Sequence, residues 1–283
     1  MNKVFSAFWG SWVVVALAGA SAHAYVPPSQ FIIKTVAAKH SGIKGVRITS
    51  HVDAISKDKP SGPHFKQETV YDAQTGALRS SAFDDNGKVL YTVERHLFRE
   101  LAHEQEGSAI PFADLIELGS KADILIAALK SLEIPIKTED ELVTLGDENE
   151  RYAAEVTSIG RIRTQFAWII GESSRPQFWV EKDTFLPIRV IVKADKLPEI
   201  SGSDGSVEIR FENYRFVREF PVSRLVSITR NGETLVREEA SDVAVNPSLS
   251  EFKKPVTSGY TEAGNSADSG VRELLRQYYS ALR

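Results

Sequence analysis

Phe178-Trp179-Val180-Glu181-Lys182-Asp183-Thr184-Phe185-Leu186-Pro187-Ile188-Arg189 is the stretch on which the fold turns. Phe178 and Val180 share one parity before the charged turn, and Ile188, Val190 and Val192 share one after it. A two-residue apolar period on both sides of Asp183-Thr184 predicts an antiparallel hairpin with one apolar face. Leu186-Pro187 marks the start of the return strand, where a missing N–H is tolerated.

Working outward, the same period recurs on both sides. Downstream of Leu145 it predicts strands over Arg151 to Val156, Arg163 to Ile170, Gln177 to Glu181, Leu186 to Val192, Val207 to Val217, Val222 to Thr229 and Glu233 to Ala240. Ser201 to Gly205 and Asn231-Gly232 supply turns between them. Upstream, Val46, Ile48, Ser50 and Val52 alternate with Arg47, Thr49 and His51, and Phe65 to Tyr71, Leu78 to Phe83 and Val89 to Val93 follow. Lys57 to Pro63, Asp72 to Gly76 and Asp85-Asn86-Gly87 punctuate that meander. The fold class expected is mainly β with an α lid: a strongly curved antiparallel sheet or half-open β-barrel of about ten or eleven strands, covered by helices.

Two segments change period. Ser29 opens a short amphipathic helix through Phe31, Ile32, Val36 and Lys39 that ends near Gly42. Residues 111–133 carry Phe112, Leu115, Ile116 and Leu118, then Ile124, Leu125, Ala128, Leu129 and Leu132, with Gly119 as a break and Pro135 as a stop. A sheet with one apolar face must cover it, and these helices are the cover available. Phe166, Trp168, Phe178, Val190, Ile209 and Phe211 are the expected ligand-facing residues of the sheet, and Leu115, Ile116, Leu125 and Leu129 those of the lid. Between the two layers lies either a filled core, the default for such a stripe, or a cavity.

Composition sets the class. With 42% hydrophobic and 25% charged residues over 283 positions, disorder and multi-span membrane classes are excluded. Lys and Arg number 34 against 38 Asp and Glu, a net charge of −4, so no basic excess suits a nucleic-acid partner. No cysteine is present, which removes disulfides, thiolate metal sites and a lipidated N-terminal cysteine.

Lys3, the apolar run from Trp12 to Ala18 and Ala22-His23-Ala24 read as a secretory signal over residues 1–24, cleaved after Ala24. A membrane anchor is the competing reading, against which the apolar stretch from Val4 to Ala20 is short and interrupted by Ser6, Gly10, Ser11 and Gly19. Residues 25–256 then form a single β domain, free in the periplasm or outside the cell. Residues 257–283 read as a flexible linker ending in a helix striped by Val271, Leu274, Leu275, Tyr278, Tyr279 and Leu282. That helix either docks on its own domain or, through Arg272, Arg276 and Arg283, meets a membrane surface or partner.

Chemistry is sparse. His96, Glu100 and His103 would share one helical face at i, i+4 and i+7, a zinc-like set, but the spacing is not that of a zincin and a strand would scatter it. No Gly-x-Ser-x-Gly elbow occurs, Gly119, Gly146, Gly160 and Gly171 are isolated, and Asp147 to Glu150 lacks a calcium-loop spacing. No catalytic residue, metal ligand or cofactor is assigned.

The hairpin from Phe178 to Arg189 resembles the "FWID-KTGLPLR" hairpin of the LolA-like outer-membrane lipoprotein carrier superfamily. Ile209-Arg210-Phe211-Glu212-Asn213-Tyr214, Phe220-Pro221, Asn231-Gly232 and Val243-Ala244-Val245-Asn246-Pro247 follow in the superfamily's order, so the resemblance covers residues 150 to 252. It implies a half-open barrel with a helical lid whose concave face accepts acyl chains of lipids or lipoproteins, with envelope proteins as further partners. The chain departs from the pattern in lacking the "RP-x-x-F-R-W" strand, so no functional arginine is carried over. Without a cysteine the lipidated receptor branch is disfavoured, and a divergent member is expected. An adaptor module on the same fold, with a filled core, is the alternative.

Overall fold

A computed structural model describes residues 26–55, 62–100, 112–137, 157–173, 176–196, 205–248, 259–262 and 269–281. The signal segment and the strand expected over Arg151 to Val156 lie outside these residues. Helix α1 (Ser29–Lys39) buries Ile32, Ile33, Val36 and Ala37, the i, i+1, i+4, i+5 set that makes one face. Gly42 follows at φ 87°, the left-handed conformation that lets the chain turn into the sheet.

Four antiparallel strands come next: β1 (Gly45–Ala54), β2 (His64–Asp72), β3 (Ala77–Phe83) and β4 (Val89–His96). After the single turn α2 (Leu97–Glu100), helices α3 (Phe112–Leu118) and α4 (Ala122–Ser131) form the insert. The chain then returns to strand as β5 (Thr157–Ile162), β6 (Gln165–Ile170), β7 (Gln177–Glu181) and β8 (Pro187–Lys193). Next are β9 (Ser206–Glu212), the ribbon strands β10 (Arg215–Val217) and β11 (Phe220–Val222), then β12 (Leu225–Arg230) and β13 (Glu233–Val245). Strand β14 (Gly259–Glu262) and helix α5 (Ser269–Ala281) complete the order.

All strands except the ribbon pair build one twelve-stranded sheet, ordered β14-β4-β3-β2-β1-β13-β12-β9-β8-β7-β6-β5. The long β13 closes the two meanders against each other by pairing with β1 on one side and β12 on the other. Every ladder is antiparallel. The protein is therefore mainly β with a helical cover, as expected, but the sheet is not closed into a barrel: among the described residues β5 and β14 each pair on one side only.

Three further expectations are corrected. Asn213, at φ 58°, interrupts the strand expected from Val207 to Val217, and Arg215 to Val217 turns away to pair with Phe220 to Val222. Residues 257–270, expected as a linker, contain β14, which pairs with β4 from Gly259 opposite Glu94 to Glu262 opposite Tyr91. His96 ends a strand instead of opening a long helix, so the helical face with Glu100 and His103 does not form; His103 lies outside the described residues.

The core lies on one face of the sheet. Ile170, Phe178, Val190, Ile209, Ile228 and Val236 stand opposite one another from β6 to β13 and are all buried. Such a row is what an even period produces when neighbouring strands share register. α1, α3, α4 and α5 join this row in one continuous apolar cluster.

Candidate ligand-binding face

The structure brings Trp168, Phe178, Val190, Ile209 and Phe211 together on adjacent strands of the inner face, all buried. Leu115 and Ile116 of α3 and Leu125 and Leu129 of α4 belong to the same cluster and are also buried. Phe178, Val190, Leu125 and Leu129 are 0% accessible. A void large enough for one water would leave part of these side chains accessible, so at these four positions sheet and cover are in direct contact. Phe166 departs from the set: it shares the parity of Trp168 but lies at the hairpin end, beyond the cover, 54% exposed with the Arg161 guanidinium 5.8 Å from its ring.

The half of the inner face built by β1, β2, β3 and β13 is less apolar than the sequence pattern suggests. Ser50, Gln67, Thr69, Ser80 and Glu238 are all buried there. Glu238 accepts hydrogen bonds from the Ser50 hydroxyl at 2.8 Å, the Gln67 amide at 3.3 Å and the Tyr278 phenol of α5. Thr69 and Ser80 pair hydroxyls at 3.0 Å. Satisfying a buried carboxylate this way avoids the penalty of leaving it bare, and it fixes α5 in one position. α5 lays Leu274, Leu275 and Tyr278 onto the sheet, with the Tyr278 ring edge-on to Phe65 at 5.7 Å. The C-terminal stripe is thus a helix docked on its own domain.

Two further interactions link the helical cover to the β10–β11 ribbon and the connection leading into it. His40, wholly buried at the end of α1, packs edge-on to Phe220 at 5.6 Å and hydrogen-bonds the Val36 carbonyl at 3.2 Å. Burial holds its pKa down at about 4 despite that bond, so the ring is neutral. Tyr214, in the β9–β10 connection, has its phenol pKa pushed well above the usual value, chiefly by burial and then by the negative charge of Glu117 on α3. That phenol stays protonated at any physiological pH.

A separate cleft of about 370 Å³ opens at the hairpin end of the sheet. Its walls are Ile162 and Gln165 of the β5–β6 hairpin, Thr184, Leu186 and Ile188 of the β7–β8 hairpin, and Phe211, Asn213, Tyr214 and Phe216. Arg163 crosses it to Glu212 at 2.9 Å. Three turns far apart in the chain assemble this cleft, so no local sequence pattern marks it, and of the expected ligand-facing residues Phe211 alone reaches it. Among the described residues no group of three or more His, Asp or Glu side chains converges as a metal site, and no helix is long and apolar enough to cross a membrane.

No protein-family model matches the chain, and no curated protein is similar to it in sequence. Among solved structures it is similar to a domain from Vibrio parahaemolyticus assigned to outer-membrane lipoprotein sorting, with a TM-score of 0.45 and 11% identity over 78% of this chain and 94% of that one. A LolA superfamily protein from Nitrosomonas europaea gives 0.44 and 8%, and a DUF1329 family protein from Desulfovibrio piger 0.40 and 9%, each over the same shares.

Proposed function

We propose that this protein is an exported, non-catalytic carrier or chaperone that binds acyl chains of a lipid or lipoprotein between the sheet and its helical cover. The observation that carries the proposal is the inner apolar row from Ile170 to Val236, which crosses six strands and is covered by short helices instead of a second sheet. Helices joined to the sheet by connecting segments can lift without breaking a ladder, and each CH₂ buried against the exposed row contributes about 0.8 kcal/mol. Trp168, Phe178, Val190, Ile209 and Phe211 would line the opened site, with Leu115, Ile116, Leu125 and Leu129 as the moving wall. The signal-like residues 1–24, cleaved after Ala24, place it in the periplasm.

Native mass spectrometry of the mature protein, purified from its own periplasm without detergent, tests this reading. A stoichiometric acyl-chain mass is expected. A clean apo mass together with no uptake of added lipid overturns it.

One observation favours a second reading. Because Phe178, Val190, Leu125 and Leu129 are wholly buried between the layers, the same fold can also serve as a cell-envelope adaptor that has a filled core, binds a partner protein on its surface and takes up nothing. Deleting residues 259–283 separates the two: an adaptor that uses its tail loses its partner, whereas a carrier retains ligand.

A further inference from the structure

Five large apolar side chains of the described residues stand exposed, and four of them gather at one end of the sheet. Phe31 is 52% exposed, Phe166 54%, Phe216 59% and Ile159 40%. The common neighbour of the three phenyl rings is the β7–β8 turn. Phe185 of that turn meets Phe31 edge-on at 6.1 Å, the Lys182 N–H donates to the Phe166 carbonyl at 2.9 Å, and Thr184 lines the same cleft as Phe216. Ile159 stands beside Trp168 in the ladder, on the face that carries Phe166.

Cations interleave with these rings. Arg161 is opposite Phe166 in the ladder with its guanidinium near that ring, and the Lys182 ammonium lies 5.8 Å from the Trp168 ring. Arg163 stands in the β5–β6 turn, and Arg215 and Arg218 flank Phe216; all five cations are exposed. Asp183 and Glu219 are the exposed carboxylates of the same turns. Glu181 is spent on its own turn, accepting the Thr184 N–H and hydroxyl at 2.5 Å each, and Glu212 is paired with Arg163. In a chain of net charge −4, this end carries five cations against the carboxylates of Glu181, Asp183, Glu212 and Glu219, interleaved with phenyl rings.

We propose that this end of the sheet docks on an anionic phospholipid bilayer. Phenyl rings bury in the boundary between headgroups and acyl chains, and long basic side chains reach lipid phosphates at the same depth. Exposed rings interleaved with long basic side chains on hairpin turns match that environment. The docking is separate from cargo binding and would serve a carrier or an adaptor alike.

The test is sedimentation of the mature chain with vesicles of phosphatidylcholine and phosphatidylglycerol at about 2:1, against vesicles of phosphatidylcholine alone. Binding to the anionic vesicles, weakened by added salt, is expected. The triple variant Phe31→Ser, Phe166→Ser, Phe216→Ser should lower the partition coefficient at least about tenfold while circular dichroism shows it still folded at the assay temperature. A second variant, Arg161→Gln with Lys182→Gln, should lower it on anionic vesicles alone. No binding to the anionic vesicles, or binding that the triple variant leaves unchanged, overturns the proposal.

Discussion

The phenol of Tyr278, on the C-terminal helix, donates its proton to the carboxylate of Glu238, in the middle strand of the sheet. Both groups are buried, and Ser50 and Gln67 complete the donors around the carboxylate. A hydrogen bond to a charged, buried acceptor contributes more than a neutral one. Tyr278→Phe keeps the ring on Phe65 but removes the donor, and should lower unfolding stability by about 2 kcal/mol. Urea titration of the two proteins measures it, and superimposable curves would contradict the assignment.

Removing α5 altogether uncovers Phe65 and the Glu238 cluster. A chain ending after Glu262 keeps β14 on β4 and should bind an apolar dye or a fluorescent fatty acid more strongly than the full chain, since the buried face is then open. Equal dye binding by both chains would show that α5 covers nothing of consequence.

His40 makes stability depend on pH. Its folded pKa, about 4, lies below the unfolded 6.5, so the unfolded chain binds more protons between those values. Stability from this group is full above pH 6.5, falls as pH drops from 6.5 to about 4, and changes no further below that, for a total of about 3 kcal/mol. His40→Phe should flatten the urea midpoint across that window. A slope identical in both proteins would assign the pH dependence to other groups.

Gly171 joins β6 to β7 at φ +116°, and a Cβ there would meet the Pro176 carbonyl oxygen at 2.3 Å. Backbone stands on the other side of that contact, so no side-chain shift relieves it. Gly171→Ala should cost about 2–4 kcal/mol, with the loss read from urea unfolding. A cost under about 1 kcal/mol would mean that the turn relaxes freely.

Strand parity was the most legible feature of the chain. β7 matches its expected span at both ends, and Phe178, Val190 and Ile209 stand in the row that their period implies, because an even repeat leaves a buried strand one acceptable register. β5 was missed: Thr157-Ser158-Ile159-Gly160-Arg161-Ile162 has no regular two-residue apolar period and carries Gly160, which lies against Ile169 and Trp179, a contact invisible until β6 and β7 are in place. Asn213 likewise ended β9 early, since an Asn that tolerates positive φ can sit inside a run of strand formers without announcing a break.

The amino-acid sequence by itself determined the β class, the apolar face, the helical insert and the amphipathic tail, all of them consequences of period and turn chemistry acting over a few residues. Only the tertiary structure decided that the sheet stays open between β5 and β14, that the face is filled, and that α5 seals it through Glu238. It alone gathered Phe31, Phe166 and Phe216 around one turn. The physical reason is distance along the chain: Ser50, Glu238 and Tyr278 meet only once β13 has paired with β1 and α5 has docked, and no local pattern records a contact made by partners so far apart.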